Sequence, residues 1–157
     1  MMMALKIGAG VLLAVIVAAA AWFFTLCPCE RTPGSYLWGE EITTPVTDWS
    51  MANEARLCQI EVNGIIPWSV NLNCMAAPDG NLYLSCARCD GKRWSTLALA
   101  DPTGRIRIGD KVYPVSLTRV TDPETLDLAW NARADKLSRE RQPRPDHWWS
   151  FRLASIQ

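Results

Sequence analysis

The sequence predicts a small, mainly β domain closed into a barrel, with short helices at its edges and one apolar helix ahead of it. Three observations carry that expectation. Residues 7–26 form an uncharged run of twenty positions. Beyond them, six short stretches alternate apolar and polar side chains or run apolar throughout, separated by Gly, Pro, Asn and Asp, as strands and their turns do. Only three stretches show the three- and four-residue spacing of a helix, and all three are short.

The N-terminal run comes first. At 1.5 Å per residue it reaches about 30 Å, the thickness of a bilayer's hydrocarbon core. Lys6 and the amino terminus precede it, and Trp22, Phe23 and Phe24 lie near its far end, where aromatic rings favour the interface. Ala18–Ala21 would suit a cleavable signal peptide, but the apolar run continues past it to Leu26. The expectation is an uncleaved anchor in a bacterial-type inner membrane, crossing it once. Positive charge stays on the near side, so the C-terminal domain is expected to be periplasmic. Residues 1–26 are thus read as a membrane anchor, 27–37 as a Pro- and Gly-containing linker, and 38–157 as the barrel domain.

Residues 36–46 show no clear period and are expected to lie irregularly against the barrel. Asp48 or Ser50 suits the N-cap of a short turn running to Ala55. Residues 56–62 alternate Leu57, Gln59 and Glu61 against Cys58, Ile60 and Val62, and Asn63-Gly64 is a hairpin signal. The returning strand, 67–76, places Trp68, Val70 and Leu72 on one face. Pro78-Asp79-Gly80 turns the chain into 81–85, where Leu82, Tyr83 and Leu84 suit a strand buried on both faces. Residues 92–100 share Trp94, Leu97 and Ala98 on one helical face and stop at Asp101-Pro102. Strands at 105–108 and 112–120 flank Gly109-Asp110, the second of them with Tyr113, Val115 and Leu117 on one face. Thr121-Asp122-Pro123-Glu124 opens a helix whose stripe is Leu126, Trp130, Arg133 and Leu137, with Ala129 beside it. Residues 147–156 form the last strand. Six or so strands in so short a chain are expected to close, because closure removes exposed edges.

Sixteen basic and sixteen acidic residues give no net charge, which argues against a nucleic-acid binder. Six cysteines in an exported chain read first as disulfides. Cys86 and Cys89 are one candidate pair, and Cys58 and Cys74, on adjacent strands across Asn63-Gly64, are another. A redox-active Cys86–Cys89 pair and a metal site made with Cys27 and Cys29 stay open as alternatives. Arg88, Lys92 and Arg93 cluster where the short helix starts, and cationic side chains beside unpaired N–H groups can hold an anion. His147 is the single histidine and could serve as an axial ligand if the protein bound haem.

Lys92, Trp94, Leu97, Ala100 and Pro102, then Ile106, Ile108, Gly109 and Tyr113, then Thr121-Asp122-Pro123, follow one another in an order that resembles the split β-barrel flavin and deazaflavin-dependent oxidoreductases. These are nitroreductase-like relatives of pyridoxamine-phosphate oxidase. Trp148–Leu153 also resembles that family's closing strand, so the resemblance runs from about Asp48 to Leu153. It implies a split barrel, flavin mononucleotide as cofactor, and a homodimer. It places Arg88, Lys92 and Ser95 on the cofactor phosphate and Trp94 near the ring. The basic turn that the deazaflavin enzymes carry has no counterpart between Val62 and Pro67, which moves the expectation from deazaflavin to flavin. A cofactor-free interaction module and a haem-binding split barrel are the competing readings.

Overall fold

A computed structural model of the chain describes residues 2–26 and 28–156; Cys27, where the expected linker begins, lies outside the described residues. The apolar run folds as helix α1 (Met2–Ala21), continued by a wide π-type turn at Trp22–Leu26. Seven strands follow: β1 (Glu40–Glu41), β2 (Cys58–Val62), β3 (Trp68–Ala76), β4 (Leu82–Cys86), β5 (Thr103–Ile108), β6 (Lys111–Val120) and β7 (Trp149–Ser155). Helix α2 (Arg93–Ala100) lies between β4 and β5, and α3 (Pro123–Lys136) between β6 and β7. A single 3-10 turn covers Ser50–Asn53, where Asp48 accepts from the Ser50 amide at 2.9 Å.

Strands β6, β5, β2, β3, β4 and β7 pair in that order, and β7 pairs back onto β6, so six antiparallel strands close a barrel. The two-residue β1 adds to the outside of β6 in parallel. Alternation explains the interior: Cys58, Ile60 and Val62, with Ile106, Val115, Leu117, Phe151 and Leu153, point into one continuous core. The core also takes Trp94 and Ala98 from α2, which plugs the barrel beside Phe151 at a ring distance of 5.2 Å.

Helix α3 covers the outer wall at β3 and β4, burying Met75 and Tyr83 beneath it. This second layer is why every residue of β4 is buried. The face that α3 presents takes Leu126 and Trp130 from the expected stripe, half-buried against this layer, with Ala129 beside them, but its centre is lined by alanines. Ala129, Ala132 and Ala134 are its buried residues, because small side chains let the helix approach the wall closely. Trp130 stacks edge-on against Trp148, itself buried in this layer, at 5.2 Å. The Asn63-Gly64 hairpin is also wider than its dipeptide suggests. Val62 pairs with Trp68, leaving five residues in the loop. The Asn63 amide group is committed elsewhere, donating to Asp101 at 2.9 Å and Thr103 at 2.8 Å.

Candidate functional site

Residues 28–38 form a strap across the outer faces of β2 and β3. Asn71 donates to the Glu30 carbonyl at 3.0 Å, Gln59 to the Pro28 carbonyl at 3.0 Å, and Gly34 and Ser69 exchange a backbone pair at 2.9 Å each way. Glu61 fixes the strap's far end. Its carboxylate accepts from the Leu37 amide at 2.6 Å and from Arg105 Nε and Nη2 at 3.0 and 2.7 Å. The bond to Glu61 raises the Arg105 guanidinium pKa above its ordinary value, so the guanidinium stays charged.

Between this strap and α2 lies a cleft of about 480 Å³. Trp68, Val70 and Leu72, on the core-facing side of β3 where α2 leaves the barrel's mouth partly open, form its floor with Trp94. Arg31 stands on the strap side, and Lys92 and Arg93 stand on the α2 side. Glu30 is the one acidic residue on the lining. Arg93 lies over the Trp68 ring, 4.3 Å from its centroid, a cation–π contact that orders the guanidinium without consuming its hydrogen-bond donors.

The loop that delivers Lys92 and Arg93 is tied from within. The Cys86–Cys89 disulfide closes the end of β4. Gly91 takes φ +70, a left-handed conformation that glycine adopts without a Cβ penalty. Ser95 is buried, and its hydroxyl donates to the Cys89 and Lys92 carbonyls. Of the four residues the resemblance assigns to a cofactor, the structure therefore brings Lys92 and Trp94 to the cleft. Ser95 is turned into the loop, and Arg88 is exposed but does not line the cleft. Arg31 had no signal in the sequence, because only the strap's long-range contacts carry it there. Trp68 belongs to the site, whereas Trp130 lies with Trp148 on α3's side. His147 is exposed on the turn before β7.

A wider cleft of about 740 Å³ opens where α3 meets the 3-10 turn, with Asp48, Asn53, Asp79 and Lys136 on its walls. Lys136 does not point freely into it. Its Nζ donates to the Ala52 carbonyl at 2.7 Å and the Cys74 carbonyl at 2.6 Å, and lies 3.5 Å from Cys74 Sγ. All three donors are used, so Lys136 acts as a tether between α3, the 3-10 turn and β3. Burial lowers its pKa from 10.5 to about 8. Below about pH 8 the amine is protonated folded and unfolded, and the folded state bears the desolvation cost. Between about 8 and 10.5 the unfolded chain binds more protons, so stability attributable to this group rises with pH across that window. Melting curves of the wild type and Lys136→Met, taken in parallel, are expected to diverge in favour of the wild type as pH climbs through it. Parallel curves with a constant offset would show that the group does not titrate there.

No protein-family model matches the sequence, and no curated protein matches it. Solved structures do. A NimC/NimA family protein from Clostridium acetobutylicum aligns at TM-score 0.50 with 15% identity, over 66% of this chain and 76% of its own. A Listeria innocua protein described as a candidate pyridoxamine 5'-phosphate oxidase aligns at 0.54 with 11% identity, over 68% and 89%. A conserved hypothetical protein from Mycobacterium tuberculosis aligns at 0.52 with 14% identity, over 75% and 86%. The chain has the split-barrel fold. At these identities the likeness concerns the fold alone, and one fold hosts many chemistries.

Proposed function

We propose that this is a membrane-anchored, exported split-barrel protein whose Lys92–Arg93–Arg31 cleft binds a phosphate-bearing cofactor of the flavin mononucleotide class. The observation that carries this reading is the convergence of three cationic side chains from two separate elements on one cleft of about 480 Å³, within the range of small-molecule sites. Charge-assisted bonds from such side chains are the strong ones for phosphate. The apolar floor at Val70, Leu72 and Trp94 suits the planar end of the same molecule. The Trp68 ring already meets Arg93, 4.3 Å from its centroid, and Phe23, tilted against it at 5.7 Å, so we assign Trp68 to ordering Arg93. A bound flavin would supply hydride and electron transfer; the chain's own groups would bind and orient it. The reading of export rests on the apolar run of α1 and on Lys6 preceding it in the sequence.

Titration with flavin mononucleotide, read by quenching of flavin or tryptophan fluorescence, is expected to saturate with the wild type. Each charge-assisted contact contributes about 1.5–3 kcal/mol, so Lys92→Ala is expected to weaken binding roughly tenfold or more. The empty variant should melt with the wild type, because Lys92 is exposed and α2's cap uses no side-chain bond there. Absence of saturable binding to the wild type would favour a cofactor-free interaction module. Unchanged affinity in Lys92→Ala would move the anion elsewhere.

A further inference from the structure

The barrel's exposed apolar side chains are not scattered. Among the described residues after the π-type turn, the large hydrophobics that stand exposed are Tyr36, Trp38, Ile65, Ile66 and Leu99. Tyr36, Trp38, Ile65 and Ile66 gather toward the root of α1. Trp38 donates its indole N–H to the Phe24 carbonyl at 3.1 Å, and Tyr36 lies against Trp38 at a ring distance of 6.3 Å. Ile65 and Ile66 occupy the β2–β3 hairpin immediately before Pro67 and Trp68, and Trp68 packs on Phe23 at 5.7 Å. Ile65 is as open as a side chain becomes, at 106% of its reference exposure.

We infer that this collar is a second membrane contact: the hairpin tip and the Tyr36–Trp38 pair sit in the bilayer's interfacial layer around the point where α1 emerges. The inference rests on reading α1 as a membrane span. Its partner is lipid rather than protein because the collar is continuous with a helix whose apolar span, apart from half-buried Phe23 and Phe24 at its end, stands exposed outside the fold. Its composition also fits. Trp and Tyr are the residues that prefer the headgroup level, and exposed isoleucines gain by entering the acyl boundary. Arg93 over Trp68 and Arg107, which donates to the Trp38 carbonyl at 3.0 Å, supply cations at the rim for anionic headgroups. Seated in this way, the barrel would hold its cationic cleft close to the membrane surface, since the cleft shares Thr32 and Pro33 with the groove beside α1.

The test uses the full chain in vesicles of phosphatidylcholine and phosphatidylglycerol, with the photo-crosslinker p-benzoylphenylalanine placed singly at Val15, Tyr36, Ile65 or Glu140. Lipid adducts identified by mass spectrometry are expected at Val15, Tyr36 and Ile65, with only background at Glu140. Adducts at Val15 without adducts at Ile65 and Tyr36 would overturn the collar and leave the anchor standing. No adduct at Val15 would remove the anchor reading and the collar with it. A covalent protein dimer from Ile65 in place of a lipid adduct would overturn the proposal in favour of a second copy.

Discussion

Replacing both Cys58 and Cys74 with alanine is expected to lower the stability of the barrel by about 3 kcal/mol. The bridge joins residues 16 apart in sequence, and closing a loop of that size removes about this much from the unfolded chain's entropy. Its position adds to its weight. Cys58 pairs across β2 and β3 with Leu72, so Cys74 is its diagonal neighbour, and both sulfurs lie fully buried inside the barrel. The bond fastens the two strands at the end opposite their five-residue loop, where the hairpin has no connection of its own. For a domain of this size the loss corresponds to a fall in Tm of roughly 10 °C. The Cys86–Cys89 bridge spans three residues, and the same relation gives it about 2 kcal/mol at most. Its replacement by alanines should cost less. Denaturant melts of the two double variants, each beside the oxidised wild type, decide the matter. Equal losses, or no loss from the Cys58 and Cys74 pair, would sink the account.

Much of the barrel was legible because strand alternation is a local property. Cys58, Ile60 and Val62 declare an inward face within five residues, and the returning strand declares the partner. Helix α3 was legible in extent through Asp122, which accepts from Thr125 at 2.8 Å, and Pro123 behind it. Its contact face was legible in Leu126, Trp130 and Ala129 but not in Ala132 and Ala134, since the depth of approach to β3 and β4 decides which small side chains are buried, and depth is set by the sheet. The cleft was half legible. Lys92 and Arg93 stand in one short basic run, whereas Arg31 sits sixty residues earlier in what reads as a linker. Ser95 was open to misreading for a simple reason: a serine near a helix start can serve a ligand or the loop's own carbonyls, and only the structure shows that it serves Cys89 and Lys92. Glu61 fell on the outward, polar phase of its strand, and no local pattern announces that a strap will cover it.

That strap supplies the other large expected effect: Arg105→Ala should destabilise the protein by about 3 kcal/mol. Glu61 is 5% exposed, and removing its partner leaves a buried carboxylate held only by the Leu37 amide. The Arg105 side chain is 29% exposed, so water entering the vacated space offsets part of the penalty, which places the effect at the lower end for a broken buried pair. Replacing both partners, Glu61→Leu with Arg105→Met, removes the unpaired charge and should recover part of the loss. What remains is the Leu37 N–H without its acceptor, worth about 1–3 kcal/mol when buried. The double-mutant cycle is therefore expected to be strongly non-additive, and additive losses would show that the two side chains act independently. The single variant should also affect the cleft. Glu61 ties down Leu37, at the end of the segment that carries Arg31, so Arg105→Ala is expected to speed hydrogen exchange at Leu37 and to weaken flavin mononucleotide binding, although Arg105 itself does not line the cleft. Exchange at Leu37 that stays as slow as in the wild type would detach the strap from the ion pair and leave Arg31 positioned by the Asn71 and Ser69 contacts alone.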